Sequence, residues 1–454
     1  MISANWAGNY EYVARELATP GSLEELQELV AGAEKVKALG SRHSFNDVAD
    51  TTGVQVSLAG LPRDVVIDES ARTVTVNAGA KYGEFVEQLA RRGWAIHNLA
   101  SLPHISVAGA IATGTHGSGD RNGSLGTAVA ALELVTANGE VRRAKRGDPD
   151  FDGLVVSLGA LGVVTSVSLD IEPNFDMRQD VFENLAWPQL LANFDQITAS
   201  AYSVSAFTDW GDGGASQVWL KSRVDSDIAA ASRADLFGAP RATRQRHPLP
   251  DGPSEWTTDQ GGVTGPWWKR LAHFKLEFTP SNGQELQSEY LVPRAHAAGA
   301  IEAMRRLGPR MTPLLFVGEL RTMAADELWL SPSFGHDSLG LHFTWRQDAA
   351  VADLLPELDA ALAPFDARPH WGKLFATEPA RLNSLYPRLP DFRRLARTLD
   401  PEGKFRNAFL DRTIFAGMVS PGTAFSGTAS SGTASSGTAS SGTASTGTGL
   451  RDPS

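Results

Sequence analysis

The sequence predicts an α+β fold with more than one domain. Over the first third of the chain, short strand patterns with alternating apolar residues are interleaved with two amphipathic helices. A length of 454 residues permits two or three domains. Near Pro173 the character changes to longer mixed segments that carry most of the tryptophans. We therefore expect a first domain of short strands and helices, followed by a second domain of different composition.

The first elements are well marked. In "TPGSLEELQELVAGA", Ser22 can cap a helix and Glu25 occupies the capping-box position. "KVKAL" then predicts a strand, and "GVQVSLAGL" and "DVVIDESARTVTVNAG" predict half-buried strands by alternation. "KYGEFVEQLARRG" has one apolar face and predicts a second helix.

A hairpin and a glycine turn complete this region. In "ALELVTANGEVRRA", Asn138-Gly139 is a strong two-residue turn signal between strands. "LGALGVVTSVSLDIEP" predicts a glycine turn followed by a strand. We place the first domain at residues 1–175, a second domain at 176–370, and a helical C-terminal segment at 371–416. Residues 417–454 carry tandem "SGTAS" repeats, whose small polar residues predict a disordered tail.

Composition excludes several classes of function. The net charge of −11 argues against nucleic acid and anionic membranes as partners. The absence of cysteine excludes disulfides, thiolate metal sites and cysteine nucleophiles. The N-terminal stretch shows no basic region followed by an apolar run, and no apolar run reaches the length of a membrane span. We expect a cytoplasmic protein, monomeric, with small molecules as partners.

Familiar cofactor signatures are missing. The chain has no G-x-G-x-x-G after a strand, no P-loop and no G-x-S-x-G elbow. Its histidines do not fall at metal-ligand spacings, so we expect no metal site.

Two loops rich in glycine and hydroxyl groups stand in their place, "GSRHSFN" and "ASLPHISVAGAIATGTHGSGDRNGSLG". Successive backbone N–H groups in such turns form anion-binding concavities, and glycine allows close approach to a pyrophosphate. For the first loop, an ordinary surface turn is an equally good explanation. The second loop is too apolar for that, because it contains Val107, Ala108, Ile111 and Ala112. Together the loops favour a large phosphate-bearing ligand.

A second candidate site lies in "GELRT" and "LHFTW". If both are strands, Glu319 and Arg321 share a face, as do His342 and Thr344, while the residues between them pack the other way. Such a polar face is commonly just solvated. Four different hydrogen-bonding groups would also suit a ligand with many hydroxyls.

These stretches resemble the flavoproteins of the vanillyl-alcohol oxidase type, and among them the bacterial alditol oxidases. The similar segments include "GSRHSFND", "ASLPHISVAGAIATGTHGSG", "LGALGVVTSVSLDIEP", "ELQSEYLVPR", "GELRT", "LHFTW" and "RPHWGK". The resemblance covers the chain from "NWAGN" to "GKFRNAF". It implies an FAD-binding domain of two α+β subdomains, an antiparallel-sheet substrate domain, and a C-terminal segment that returns to the FAD domain.

The resemblance also implies roles for individual residues. FAD would be attached covalently through His43. The remaining cofactor-binding residues would be Gly40, Ser41, Arg42, Ser44, Phe45, Ser101, Ser106, Gly109, Thr113, Gly114, Thr115, His116, Gly117 and Val164. Arg321, Lys373 and Glu319 would be catalytic, and Ser101, Glu319, Arg321, His342, Thr344 and Lys373 would bind substrate. For His104 and His116, hydrogen bonds that order the turns are an equally good explanation.

One residue departs from the family pattern. Arg42 precedes His43, at a position where relatives commonly have a small residue. Its bulk puts the detailed geometry of the loop in question.

The resemblance implies oxidation of the terminal C1 hydroxyl of alditols such as xylitol and sorbitol to the aldose, with oxygen reduced to hydrogen peroxide. An alternative in the same family is a sugar-1,4-lactone oxidase or dehydrogenase. A third reading, from another class, is a non-catalytic sugar- or nucleotide-binding protein. The preferred polyol length is not encoded in a motif.

Overall fold

The strands of the first 175 residues form two small sheets and a two-stranded ribbon. A computed structural model describes residues 4–225, 233–249, 251–278 and 284–418, so the repeat tail from residue 419 lies outside the described residues. The strands of this part are β1 (Glu16–Ala18), β2 (Val36–Ala38), β3 (Val54–Val56), β4 (Val65–Asp68), β5 (Thr73–Asn77), β6 (Trp94–Ala95), β7 (Val129–Val135), β8 (Val141–Lys145), β9 (Val163–Asp170) and β10 (Glu172–Pro173).

One small sheet is parallel, with order β1-β3-β2, and the other is antiparallel, with order β4-β5-β9-β7-β8. The predicted hairpin is β7-β8, and Gly139 in its turn has φ +85°, a conformation that favours glycine. The predicted strand "GVQVSLAGL" ends early, because Leu58–Gly60 forms a 3₁₀ turn capped by Ser57. The two sheets confirm the α+β prediction for this region.

Four helices accompany these sheets: α1 (Leu23–Gly32), α2 (Tyr82–Arg91), α3 (Val107–Ala112) and α4 (Phe151–Val155). Ser22 caps α1 by accepting a hydrogen bond from the Glu25 backbone N–H at 3.1 Å, as its sequence predicts. Helix α3 lies inside the second glycine-rich segment, which the sequence predicts as a loop. Its apolar residues drive this difference, because Val107 and Ile111 are buried in the core.

A large antiparallel sheet follows, with strand order β16-β11-β13-β12-β18-β19-β17-β20. The strands of this part are β11 (Asp176–Leu185), β12 (Ser203–Thr208), β13 (Ala215–Arg223), β14 (Asp235–Leu236), β15 (Ala239–Pro240), β16 (Gly265–Pro266), β17 (Glu285–Pro293), β18 (Leu315–Met323), β19 (Ser338–Arg346) and β20 (Arg368–Pro369). Strands β14 and β15 form a separate two-stranded sheet.

Helices cover one face of the large sheet, and its other face is left for a cavity. The helices are α5 (Trp187–Ala192), α6 (Phe194–Thr198), α7 (Ala297–Met311) and α8 (Ala350–Leu362). Their apolar side chains form one core with Leu341, Phe343 and Trp345 of β19. The alternation of β19 therefore directs His342 and Thr344 to the opposite face, as predicted.

The C-terminal segment packs with the first part of the chain. Its helices are α9 (Pro379–Leu385), α10 (Leu389–Leu399) and α11 (Ala408–Thr413). Trp371 and Phe409 belong to the same hydrophobic core as Val36, and the Lys37 ammonium donates a hydrogen bond to the Phe405 carbonyl at 3.2 Å. The numbered domain boundaries stay a prediction. Among the described residues, no helix combines the length and apolarity needed to cross a membrane.

Candidate active site

The two glycine-rich segments meet face to face. Ser106 Oγ accepts a hydrogen bond from the Ser41 backbone N–H at 3.2 Å, and Ser41 Oγ accepts one from the Ser106 N–H at 3.0 Å. A Cβ on Gly109 would lie 2.7 Å from Ser106 Oγ, and a Cβ on Gly40 would come closer still. Glycine at position 40 therefore lets the two segments approach each other, whereas a side chain at 109 would crowd the Ser106 hydroxyl that joins them.

A cavity with about 1080 Å³ of empty space, including parts open to solvent, lies between these segments. We call it the loop cavity. Its walls include Leu39–Ser44, Ser106, Gly109, Thr113 and Val164. The structure thus places nine predicted cofactor-binding residues along one cavity: Gly40, Ser41, Arg42, His43, Ser44, Ser106, Gly109, Thr113 and Val164.

Six predicted cofactor-binding residues lie elsewhere. Phe45, Ser101, Thr115 and His116 line a second cavity. Gly114 and Gly117 are not among the residues that line either cavity. Gly114 adopts φ +70° in the turn after α3, and a Cβ there would meet Pro332 at 3.0 Å. Gly117 is packed against the Asn98 side chain. Both glycines therefore have a structural reason that involves no ligand.

The second cavity, which we call the sheet cavity, has about 1070 Å³ of empty space and lies against the face of the large sheet opposite the helices. His43, Ile105, His370 and Lys373 line both cavities, so the two spaces adjoin at these residues. All six predicted substrate-binding residues line the sheet cavity: Ser101, Glu319, Arg321, His342, Thr344 and Lys373. The structure therefore brings together residues that lie up to 272 positions apart, from Ser101 to Lys373.

Strand register explains the centre of this cavity. His342 on β19 lies opposite Glu319 on β18 and opposite Glu289 on β17. The three side chains therefore form a row across neighbouring strands, carboxylate, imidazole, carboxylate. Both carboxylates are buried, so each needs a cation or hydrogen-bond donors nearby.

Glu289 collects most of the positive charge in the site. Its Oε2 accepts a hydrogen bond from Lys373 Nζ at 2.5 Å, and its Oε1 accepts one from Arg321 Nη2 at 2.9 Å. His116 Nε2 lies 3.2 Å from Oε1. Burial alone would raise the pKa of Glu289, but Lys373, Arg321 and His116 outweigh burial and hold the pKa well below its usual range. Glu289 is therefore an ionised counter-ion beneath two cations.

The contacts of Lys373 and His342 determine which of their nitrogen atoms donate and which accept hydrogen bonds. Lys373 Nζ lies 2.9 Å from His342 Nδ1, and burial together with Lys373 lowers the pKa of His342 to about 4. An ammonium only donates, so Nδ1 of the neutral ring accepts and Nε2 carries the proton. His342 Nε2 then donates to Thr344 Oγ1 at 3.0 Å. Glu289 and His342 take two of the three Lys373 N–H groups, which leaves one for a ligand.

Arg321 and Glu319, together with His342 and Thr344, form one side of the sheet cavity, which we call the polar wall. Arg321 Nη1 lies 3.4 Å from Ser101 Oγ, and its Nε is buried without a hydrogen-bond partner among the described residues. Burial would raise the pKa of Glu319, but Arg321 and His273 overcome that effect and hold it below its usual range. The site therefore presents fixed donors and an ionised acceptor around one buried space.

His43 stands at the junction of the two cavities. Its ring stacks on Trp6 with centroids 5.1 Å apart, and burial lowers its pKa to about 4. The ring is therefore neutral at ordinary pH. Its Nδ1 is buried and has no hydrogen-bond partner among the described residues, which marks it as an atom that awaits a ligand.

A possible metal group occurs in the same place, but its surroundings disfavour a cation. The ligand atoms of His116, Glu289 and His370 lie within 4.8 Å of one another. Lys373 and Arg321 already neutralise Glu289, and their positive charges would repel a metal ion. We do not propose a metal site.

Sequence reasoning missed several residues of this cavity. Six of the ten histidines line it, whereas the sequence singled out only His43, His116 and His342 among them. Glu289 was missed although "ELQSEYLVP" alternates polar residues at 285, 287 and 289, which all line the cavity. That alternation was the available signal. For His370 and His273, which lie outside regular elements, no local pattern marks a functional role.

Two family models and one solved structure match this chain and indicate its class of protein. The family model described as FAD binding domain matches residues 14–145, and the model described as D-arabinono-1,4-lactone oxidase matches residues 279–413. The crystal structure of cholesterol oxidase from B. sterolicum has the same fold, with a TM-score of 0.74 over 91% of this chain and 96% of that chain, at 15% identity. The α+β architecture with an FAD-binding domain is thereby confirmed.

Sequence identity to two curated relatives indicates the family within this class. Alditol oxidase from Streptomyces sp. is 50% identical over 410 residues, which cover 89% of this chain and 97% of the relative. L-gulono-1,4-lactone dehydrogenase from Mycobacterium tuberculosis is 29% identical over 440 residues, covering 91% and 99%. The chain therefore belongs to the alditol oxidase family, within the FAD-linked oxidases of the vanillyl-alcohol oxidase type.

Proposed function

We propose that the protein oxidises the terminal C1 hydroxyl of alditols such as xylitol and sorbitol to the aldose, with oxygen reduced to hydrogen peroxide. The observation that carries this proposal is the buried polar wall of Glu319, Arg321, His342 and Thr344, which adjoins the loop cavity at His43 and Lys373. A polyol offers a hydroxyl on every carbon, and this wall offers many directional partners. The relative at 50% identity is named for the same activity.

The loop cavity fits FAD. Glycine at 40 and 109 lets backbone approach closely, and His43 supplies an unpartnered buried nitrogen at the end that adjoins the sheet cavity. Gly40–Ser44 and Ser106–Thr113 would hold the dinucleotide. When bound, FAD supplies the acceptor for a hydride from the alcohol carbon and passes electrons to oxygen.

We further propose that His43 attaches FAD covalently, as the family resemblance implies. The neutral state of His43 supports this role, because an unprotonated imidazole nitrogen is a nucleophile. The stacked Trp6 ring supports it too, since the stacking fixes the plane of the imidazole.

The chemistry assigned to the protein groups is electrostatic. Loss of a hydride from the alcohol carbon requires loss of the hydroxyl proton, which develops negative charge on oxygen. Arg321 and the free N–H of Lys373 stabilise that charge, and Glu289 holds both cations in place. Ser101, Glu319, His342 and Thr344 bind the remaining hydroxyls.

Lactone oxidation is a second candidate. Residues 279–413 match the model of D-arabinono-1,4-lactone oxidase, and this segment contains Glu319, Arg321 and Lys373. Monomeric state and cytoplasmic location stay predictions of the sequence.

Hydrogen peroxide production separates the two candidates. The purified holoprotein is mixed with xylitol, sorbitol or L-gulono-1,4-lactone in air-saturated buffer, and peroxide is measured with a coupled peroxidase. We expect higher kcat/KM for the polyols. Absence of peroxide with polyols, together with reduction of a dye by the lactone, contradicts alditol oxidation and supports the lactone reaction.

A further inference from the structure

A chain of three buried ionisable groups runs from the large sheet to the cavity. Lys221 on β13, His273 in the segment after β16, and Glu319 on β18 are 1%, 5% and 5% exposed. Lys221 Nζ lies 3.0 Å from His273 Nδ1, and His273 Nε2 lies 2.9 Å from Glu319 Oε1. Only Glu319 of the three was anticipated from sequence.

Donor counting fixes the proton of His273. Lys221 Nζ also donates to the Leu271 carbonyl at 2.5 Å and to the Ala272 carbonyl at 2.8 Å. The ionised Glu319 carboxylate only accepts, so His273 Nε2 must donate to it, and His273 Nδ1 accepts from Lys221 Nζ. The neutral ring then carries its proton on Nε2, which donates to Glu319. Ser205 Oγ, 3.5 Å from Nε2, is the more distant contact.

Packing holds the His273 ring in one orientation. The ring meets Phe207 and Trp219 edge to face, with centroids 5.7 and 5.3 Å apart. The His273 backbone N–H donates to the Ser101 carbonyl at 3.1 Å. A ring flip would replace both hydrogen-bonding nitrogens by ring carbons at these partners, so the two hydrogen bonds keep Nε2 directed at Glu319.

The two carboxylate oxygens of Glu319 differ in their contacts. His273 occupies Oε1, and Arg321 Nε lies 3.6 Å from the same oxygen. Among the described residues, none donates a hydrogen bond to Oε2, and Glu319 lines the sheet cavity. Oε2 is therefore available to accept a hydrogen bond from a ligand.

We propose that Lys221 and His273 are positioning residues, which hold Glu319 ionised and in one orientation so that Oε2 accepts a substrate hydroxyl. This inference rests on the polyol oxidase function proposed above. It predicts that Lys221 and His273, which lie outside the polar wall, determine how strongly the site prefers a substrate hydroxyl next to Glu319 Oε2. This series of hydrogen bonds ends at Lys221, whose other N–H groups donate to carbonyls. The series therefore orients Glu319 and does not conduct protons.

A mutant cycle tests the positioning role. H273L removes the donor to Glu319, and H273Q keeps one acceptor and one donor. We expect H273L to lower kcat/KM for xylitol about 10- to 100-fold, mainly through KM, and H273Q to recover most of it. H273L/E319Q should lose no more than E319Q alone, because both variants remove one interaction. Losses that multiply would overturn the proposal.

NMR of nitrogen-15 histidine-labelled holoprotein gives a readout without turnover, with the His273 signal identified by its loss in H273Q. We expect the neutral Nε2–H tautomer in the wild type. In K221M, Nδ1 loses its donor, and the ring, facing Glu319 and Arg321, should become protonated at higher pH. A wild-type Nδ1–H tautomer would overturn the proposal even if xylitol is oxidised. The expected tautomer without polyol oxidation would instead overturn the proposed function.

Discussion

Glu289 carries the largest share of the site's charge balance, and no local pattern reveals that role. Its partners Arg321 and Lys373 lie 32 and 84 residues further along the chain. Both cations were proposed from the sequence, because a charge-developing reaction needs them, but the polar alternation at 285, 287 and 289 does not show which cations Glu289 meets. A counter-ion of this kind is visible only once the strands are placed side by side.

E289Q tests this arrangement. The amide removes the carboxylate that pairs with Lys373 and leaves Arg321 with Glu319 as its remaining counter-ion, and loss of one partner of a buried pair typically costs about 3–5 kcal/mol of stability. We expect a lower free energy of unfolding by urea titration and at least about a 100-fold loss of kcat/KM for xylitol. D359N is the matched control, because Asp359 is also a carboxylate largely shielded from solvent but binds Tyr290 and Thr377 on the other side of β17. Wild-type kinetics in E289Q would contradict the role of Glu289.

Arg42 has a structural explanation at the same scale. Its φ is +63°, in the left-handed region that costs a residue with a side chain about 1–2 kcal/mol. Glycine suits such a backbone best, so the expectation of a small residue at this position has a structural reason. Its backbone carbonyl accepts a hydrogen bond from the Trp6 N–H at 2.8 Å and so joins the loop to the residue that stacks on His43.

At the scale of elements, alternation predicted which residues share a face but not which strands are neighbours. Strand pairing decides that Glu319 lies opposite His342, and that Glu289 lies on the other side of His342. Between β18 and β19 a register shift separates the Leu315 and Val317 pairs. Register comes from long-range packing, so a single sequence leaves it undetermined.

A substitution of Gly340 on β19 tests whether activity depends on the position of the Glu289 carboxylate. A Cβ there would lie 3.3 Å from Glu289 Oε1, so G340A should push the carboxylate by a few tenths of an ångström. We expect a drop of about 10-fold in kcat/KM for xylitol, with little change in melting temperature. In the control G318A, the added methyl group meets Trp210 on the opposite face of the sheet. That variant should lose stability and keep its KM. Unchanged kinetics in G340A would show that the position of Glu289 is not critical.

At the scale of the molecule, two cores build two adjoining cavities. One core joins α1 and α2 to the C-terminal helices, and the other joins the large sheet to α5–α8. The sequence predicted the strand and helix types well where periodicity was clear, as in α1, α2 and the β7-β8 hairpin. Periodicity alone could not predict that His370, just before the C-terminal segment, and Lys373, within it, line both cavities together with His43.

Buried neutral histidines predict acid sensitivity of the whole molecule. Burial lowers the pKa of His273 and of His342 to about 4, below the ordinary value of 6.5. The unfolded chain binds more protons in that window, so stability falls as pH falls from 6.5 towards 4. We expect about 2 kcal/mol per histidine between pH 7 and pH 5, measured by urea unfolding.

Carboxyls whose pKa is raised by burial oppose this trend, and Asp326 is one of them. Burial raises the pKa of Asp326 to about 6, so its protonation favours the folded state over the same range. D326N should therefore steepen the loss of stability, and H342Q should make it shallower. Equal stability at both pH values in the wild type would contradict the neutral state of the buried histidines.

The central claim is our proposal that FAD is attached to His43, one of the residues that line both cavities. The most direct measurement is the visible absorbance of protein that has been precipitated with acid and washed. We predict that the wild type and H104A keep the yellow chromophore in the pellet, because His104 instead hydrogen-bonds the Leu276 carbonyl. H43A should release all of it to the supernatant. A pellet of H43A that remains yellow, or a wild-type pellet that is colourless, would contradict the account.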